Sequence, residues 1–130
     1  MNSKLKYHLP VVIICLGIFV ESSFPTESYP KIDFELTDKI VHFGIYFVLF
    51  MAFYFSFNNQ TKYLLLYKYS LFSALIFTVL YGASDEFHQY FVPGRSCEFY
   101  DWLADIFGAI FGIVLILINK KFLKIEKLIH

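Results

Sequence analysis

The sequence predicts an all-α membrane protein in which one domain, residues 1–130, forms a bundle of four transmembrane helices. Hydrophobic residues make up 58% of the 130 residues and aromatic residues 22%, which is too apolar for an ordinary small soluble protein. The apolar residues stand in long runs without the alternation of β-barrel strands. Because only helices and closed barrels satisfy the backbone in lipid, these runs are interpreted as helices.

Four segments approach the roughly 20 apolar residues that cross a membrane. We predict the spans at residues 7–24, 40–57, 63–90 and 102–118. The first span also fits a secretory signal peptide, because lysines precede its apolar run. No small-residue cleavage site follows Val20, so we interpret it as a retained span.

Polar segments connect the predicted helices. Residues 21–39 contain two prolines and several charges and are predicted to form a surface loop. Residues 58–61 form a short turn that makes the second and third helices antiparallel neighbours. Pro93 and Gly94 are predicted to end the third helix in a turn where glycine adopts a positive φ. The lysine-rich tail, residues 119–130, is expected to lie on the membrane surface.

The distribution of charge predicts the orientation of the bundle. Eight of the eleven lysine and arginine residues lie near the termini and the second connection: Lys4, Lys6, Lys62, Lys68, Lys120, Lys121, Lys124 and Lys127. Ten of the eleven acidic residues lie in the other two connections and the adjoining helix ends: Glu21, Glu27, Asp33, Glu35, Asp38, Asp85, Glu86, Glu98, Asp101 and Asp105. Both termini are therefore predicted to be cytoplasmic. No cationic face suits a nucleic acid, and no cofactor is expected on the acidic side.

The stretch from Tyr81 to Asp105 carries most of the polar groups near the membrane, and function is expected there. In the fourth segment four residues recur at spacings of 4, 3 and 4, which places them on one helix face: Asp101, Asp105, Gly108 and Gly112. Because a Gly-x-x-x-Gly pair lets another helix approach, this face is predicted to point into the bundle.

Two other helices present matching faces at the same end. The third segment groups Gly82, Asp85, Glu86 and Gln89 within about 100° of arc, with His88 on the flank. The second segment repeats Asp38, His42 and Tyr46 at every fourth residue. All three faces end on the acidic side of the membrane.

These residues suit acid–base chemistry or the binding of a head group. Glu86 is the predicted acid or base, with His42 and His88 as catalytic partners. Arg95 can hold a phosphate or carboxylate with its planar guanidinium. The other predicted substrate-binding residues are Asp38, Asp85, Gln89, Asp101 and Asp105. No metal site is predicted, because the histidines and acids do not follow the HExxH pattern.

Each feature also has a structural interpretation that stays open. Asp38 and Asp101 can act as N-caps of the helices they precede. His42 can pair with a carboxylate for packing alone, and Arg95 can simply pair with Asp101 or Glu98. Whether the protein is an enzyme is therefore left open.

The order of these residues resembles the VanZ-like family of small bacterial membrane proteins. The resemblance rests on Asp38-Lys39-x-x-His42-Phe43, on Asp85-Glu86-Phe87-His88-Gln89-x-Phe91-Val92-Pro93-Gly94-Arg95, and on the segment from Asp101 to Gly112. It implies a multi-pass protein of the bacterial plasma membrane with a cell-envelope role, since the name-giving member is associated with low-level resistance to the lipoglycopeptide teicoplanin. The site residues that it implies are His42, Glu86, Gln89, Arg95, Asp101 and Asp105. At position 105 asparagine is the expected residue in many relatives.

Two hypotheses follow from the residues and the resemblance. In the first, an outward-facing polar pocket binds, and in one version acts on, an amphiphile among the membrane lipids. That amphiphile is a lipid-linked cell-wall intermediate or a lipoglycopeptide. In the second, the protein is a non-enzymatic scaffold whose polar groups hold the helices together. A small transporter is less favoured, because the cytoplasmic halves of the spans are apolar.

Overall fold

The fold is all-helical in the computed structural model, which describes residues 5–25 and 35–129. These residues form five helices and no strand. The helices are α1 (Leu5–Ser22), α2 (Glu35–Asn58), α3 (Leu64–Lys68), α4 (Ser70–Gln89) and α5 (Phe99–Ile129).

Three of these helices are long and apolar enough to cross a membrane: α1, the part of α2 from Thr37 to Asn58, and the part of α5 from Phe99 to Lys121. The prediction of an all-α membrane protein is therefore confirmed. α4 is not among the three, because serine, threonine and acidic residues interrupt its apolar sequence. The fourth span and the orientation of the termini stay predictions.

The segment predicted as one helix over residues 63–90 is two helices. The break lies at Tyr69, where φ is −112° and ψ is 38°. α4 begins at the buried Ser70, whose hydroxyl lies 3.4 Å from the side-chain oxygen of Asn58 at the end of α2. α4 therefore starts where it meets α2, and no proline or glycine marks this point in the sequence.

Other predicted boundaries also shift. α5 continues to Ile129, so most of the predicted surface tail belongs to the same helix as the fourth span. α1 extends to Ser22 and α2 begins at Glu35, which shortens the predicted loop over 21–39 at both ends. The middle of that loop, residues 26–34, lies outside the described residues.

Both predicted turns are confirmed. The buried Gln60 side chain closes the first turn by bonding both the backbone N–H and the carbonyl of Tyr63 at 2.8 Å. Gly94 has a φ of 76°, the conformation for which glycine was expected.

α2 lies at the centre of the bundle and packs against α1, α4 and α5. Leu49 and Phe50 in its middle are completely buried. The predicted close approach of α5 is confirmed, because a Cβ at Gly108 would overlap the carbonyl oxygen of Phe43. A Cβ at Gly112 would overlap the ring of Phe50. The two glycines thus set the distance at which the acidic end of α5 faces α2.

Candidate functional site

Four carboxylate side chains are buried at the end of the bundle where α2 and α5 begin and α4 ends. They are Asp85, Glu86, Asp101 and Asp105, with exposures of 7%, 3%, 4% and 0%. The helical spacing predicted the inward face of α5, and the burial of Asp101 and Asp105 confirms it. Because a buried charge without a partner is costly, the partners of each carboxylate define what the site can do.

His42 lies between two of these acids. Its Nδ1 atom is 3.0 Å from Oδ1 of Asp105 and 3.9 Å from Oε1 of Glu86. The histidine side chain is only 11% exposed. Glu86 is also held from the other side, because its Oε2 accepts a 2.8 Å hydrogen bond from the backbone N–H of Glu98. Helices α2, α4 and α5 thus meet through these side chains.

Two oxygen atoms in this group have no hydrogen-bond partner among the described residues. They are Oε1 of Glu86 and Oδ2 of Asp105. The Asp105 oxygen lies over Gly82, where an added Cβ would come within 2.7 Å of it. Gly82 therefore makes room for the Asp105 carboxylate, which the sequence spacing alone did not indicate.

Asp101 pairs with Lys39 at 2.8 Å, and the same ammonium lies 3.3 Å from Glu98. The Ser96 hydroxyl donates to Glu98 at 3.0 Å. The Ser96 hydrogen bond and then the Lys39 charge stabilise the carboxylate and lower the pKa of Glu98 below its ordinary value. Neither Asp38 nor Asp101 is an N-cap, because α2 and α5 begin at Glu35 and Phe99, ahead of them. Asp101 does lie in the first turn of α5, where an acid interacts favourably with the helix dipole, as the same interpretation expected.

Asp85 accepts two side-chain hydrogen bonds inside the bundle. The donors are the Tyr46 hydroxyl at 3.1 Å and the Gln89 amide at 3.3 Å. Tyr46 and Lys39 were missing from the predicted site. For Tyr46 a signal was present, because it follows His42 by one helical turn and so shares its face.

A cleft of about 250 Å³ lies between α1 and α2 next to this cluster. Its polar wall consists of Glu21, Asp38, His42, Asp85 and Arg95. Its apolar wall consists of Ile14, Gly17, Ile18, Val41, Ile45 and the buried Tyr46. Three of these residues, Ile14, Val41 and Ile45, also line an adjacent apolar depression that is completed by Ile40, Gly44 and Val48.

Arg95 attaches to the end of α1. Its Nη2 atom lies 2.9 Å from the Glu21 carboxylate, and its Nε donates to the carbonyl of Phe24 at 3.3 Å. The interpretation in which Arg95 pairs with Asp101 or Glu98 is wrong, because Lys39 pairs with both of those acids.

His88 lies apart from the other predicted catalytic residues. Its Nε2 atom is 3.0 Å from the Ser23 hydroxyl, and its ring is 4.8 Å from that of Phe19 on α1. The structure thus brings His42, Glu86 and Asp105 into direct proximity. Asp38, Asp85 and Arg95 share the cleft with His42. Gln89 bonds to Asp85, and a carboxylate oxygen of Asp101 lies within 4.8 Å of ligand atoms of Asp38 and His42.

Two groups of residues have the ligand types and spacing to hold a metal ion. The ligand atoms of His42, Glu86 and Asp105 all lie within 4.8 Å of one another, and so do those of Asp38, His42 and Asp101. His42 is common to both groups. The first group is the more buried, because Asp38 is exposed.

Comparison with known proteins places the chain in a family. The chain is 27% identical over 124 residues to an uncharacterized protein of the fission yeast Schizosaccharomyces pombe. The aligned region covers 95% of this chain and 70% of the yeast protein. No solved structure matches the chain. The profile of the VanZ/LLP1 family matches residues 7–120, which include every residue of the cluster and of the cleft. The chain therefore belongs to the VanZ/LLP1 family, as its motifs indicated.

Proposed function

We propose that this multi-pass membrane protein binds an amphiphile in the cleft between α1 and α2. The observation that supports this most directly is the continuity of the cleft. One end is lined by charged side chains, and the apolar wall extends without interruption into the depression around Gly44. A head group would occupy the first part and an acyl chain the second.

The apolar part has room for a chain. A Cβ added at Gly17 or at Gly44 would meet no atom within 4 Å. Val41 and Val48 beside them are about half exposed, at 48% and 49%. Burying such surface under a lipid tail stabilises the complex by roughly 25 cal/mol per Å² when water is the reference. In a bilayer the gain is smaller, because the lipid tails are already apolar.

The polar part suits a head group rich in hydroxyl or amino groups. Acidic residues outnumber Arg95 there, and Arg95 is already bonded to Glu21. Asp38 and His42 can accept hydrogen bonds from such groups, whereas a bare phosphate would be repelled by the acids. This chemistry fits the sugar part of a lipid-linked cell-wall intermediate or of a lipoglycopeptide such as teicoplanin.

Photo-crosslinking tests the amphiphile proposal. Purified protein in nanodiscs is irradiated with a lipid-linked amino sugar or with teicoplanin, each carrying a diazirine on its acyl chain. Gly17→Leu fills the cleft and should abolish labelling. Ala83→Leu adds the same side chain at an exposed position on α4 and should leave it unchanged. Labelling that persists in Gly17→Leu contradicts the proposal. Which of the two probes is taken up distinguishes the two sources of the amphiphile.

The proposal includes a placement in the bacterial plasma membrane with α4 as a fourth span. The split of basic and acidic residues supports both termini on the cytoplasmic side and the cleft on the outer side. The exposed Cys97 then faces outward. A membrane-impermeant maleimide should label intact cells, and Cys97→Ser should abolish that signal. Labelling only after lysis would show that Cys97 faces the cytoplasm and would contradict the proposed orientation.

A catalytic version of the function gives the acid–base role to His42 and Glu86. Asp105 would orient the imidazole of His42, which lines the cleft, and Glu86 would exchange a proton with a bound hydroxyl group through that imidazole. The geometry favours His42 over His88 as the partner of Glu86, because His88 lies against α1. Glu86→Gln preserves size and removes the carboxylate. Turnover of the cross-linked ligand class should then be lost while its binding is retained.

The alternative function is a scaffold in which the same groups hold the helices together. The Lys39–Asp101 pair and the Tyr46–Asp85 hydrogen bond join different helices, which favours this reading. If the protein is a scaffold, Glu86→Gln should lower the amount and the thermal stability of folded protein. If it binds and acts on a ligand, the amount of folded protein should stay near normal while turnover of the ligand changes.

A further inference from the structure

We propose that His42, Glu86 and Asp105 form a binding site for a divalent transition-metal cation. The site lies where α2, α4 and α5 meet. It is a different site from the amphiphile cleft, although His42 borders both. The proposal does not depend on an amphiphile being the ligand of the cleft.

The first argument is the balance of charge among the buried carboxylates. Asp101 has the Lys39 ammonium, and Asp85 has two side-chain donors. Among the described residues, Glu86 and Asp105 share His42 as the one basic side chain beside them, and each keeps one buried oxygen without a donor. A divalent cation would neutralise the two carboxylates while the imidazole stays neutral, which is the form that binds metals.

The second argument is geometry. Protein ligands lie about 2.0–2.2 Å from Zn²⁺ or Mg²⁺, so two ligands of one ion are separated by about 3 Å when adjacent and about 4 Å when opposite. The measured separations from Nδ1 of His42 are 3.0 Å to Asp105 and 3.9 Å to Glu86. The third separation, between the two acids, is also within 4.8 Å, so the three ligand atoms are close enough for side-chain adjustments to bring them around one ion.

The donor set indicates the class of metal. One imidazole nitrogen with two carboxylates suits Mn²⁺, Fe²⁺ or Zn²⁺, because imidazole favours transition metals over Ca²⁺ and Mg²⁺. The protein orients one of the two acids. The Glu98 backbone N–H holds Oε2 of Glu86, whereas Oδ2 of Asp105 has only the space over Gly82. The hydrogen bond from Glu98 orients Glu86 before a metal arrives.

Direct binding to the purified full-length protein tests the proposal. After treatment with a chelator, Zn²⁺ is titrated by calorimetry and Mn²⁺ by electron paramagnetic resonance. We expect one ion per chain. Asp105→Asn and Glu86→Gln should each weaken binding by tenfold or more. Glu98→Gln removes a neighbouring exposed carboxylate whose side chain pairs with Lys39, and this variant should bind the metal as the wild type does.

A spectroscopic measurement keeps the test decisive if those variants fail to fold. Bound Mn²⁺ in the wild type should show coupling to an imidazole nitrogen, and His42→Asn should remove that coupling. Absence of stoichiometric binding, or binding without nitrogen coupling, overturns the proposal. A proton shared within the group of His42, Glu86 and Asp105 is then the explanation for the two carboxylate oxygens that lack a donor among the described residues. Loss of binding in Asp101→Asn, with binding intact in Glu86→Gln, overturns it in favour of the outer group that contains Asp38.

Discussion

The two sides of α2 differ in how closely other helices approach it. On the side of α5 the backbones nearly touch at Gly108, and at Gly112 the ring of Phe50 leaves no room for a Cβ. On the side of α1 the glycines Gly17 and Gly44 face open space. Half of the residues in the α2 span are buried, but only 11% of the residues in α1 are. The difference shows that α2, α4 and α5 form the fixed part of the molecule and that α1 is the outer wall of the cleft.

α1 is attached through Ile18, which is buried in the hydrophobic core, and through polar contacts near its ends. His8 lies 2.8 Å from the Ser56 hydroxyl at one end, and Ser23 and Glu21 contact His88 and Arg95 at the other. Between them the Tyr81 hydroxyl donates to the carbonyl of Cys15. This arrangement leaves the apolar middle of α1 free to line a cleft. The buried carboxylates, in contrast, all lie in the fixed part.

The largest expected effect is the loss of stability when alanine replaces a glycine on the α5 side of α2. Gly108→Ala places a methyl group against the Phe43 carbonyl and should destabilise the fold by about 3 kcal/mol or more, because backbone must move. Gly44→Ala is the matched control on the open side and should have little effect. The thermal melting temperature and the yield of monodisperse protein measure both. Equal losses would remove the distinction between the sides.

A smaller effect is expected from the hydroxyl that anchors Asp85. Tyr46→Phe leaves the buried carboxylate with one donor fewer and should cost about 1–2 kcal/mol, near the upper range for polar contacts in membrane proteins. Tyr67→Phe removes the hydroxyl of an exposed tyrosine and serves as the control. A change in melting temperature no larger than that of the control would show that Asp85 does not need the bond.

Arg95 tests the weaker attachment of α1. Its partner Glu21 is half exposed, at 49%, so the pair should contribute at most about 1 kcal/mol. Arg95→Ala should therefore increase hydrogen exchange at the end of α1 with little change in melting temperature. Arg95→Lys should restore only part of the protection, because one ammonium cannot reach both the carboxylate and the Phe24 carbonyl. If lysine restores the protection fully, Arg95 contributes only its positive charge.

The smallest expected effect is a pH dependence at the exposed Glu98. Its pKa is lower in the folded protein, so its contribution to stability is present above its ordinary pKa of 4.5 and is lost as the pH falls below that value. Ser96→Ala removes the main cause and should reduce the loss of melting temperature between pH 5 and more acidic solution. Solvent screening keeps the change small. If the melting temperatures of the wild type and of Ser96→Ala fall equally as the pH is lowered, Ser96 is not the cause.

The sequence by itself determined the features that depend on local periodicity and composition. Long apolar runs indicated membrane helices, and the spacing of Asp101, Asp105, Gly108 and Gly112 identified the inward face of α5. The motifs also indicated the family. Positive φ at Gly94 followed from the local turn chemistry. Each of these depends on residues that are close together in the chain.

Only the tertiary structure decided which side chains meet across helices. Periodicity places a residue on a face, but the rotation and height of neighbouring helices select its partner. Lys39 therefore pairs with Asp101, Arg95 pairs with Glu21, and His88 turns toward α1 while His42 joins Glu86 and Asp105. The break at Tyr69 also carries no local signal, because it arises where α4 contacts α2. The two unpaired carboxylate oxygens result from this packing, since no spacing in the sequence fixes the distance between α4 and α5.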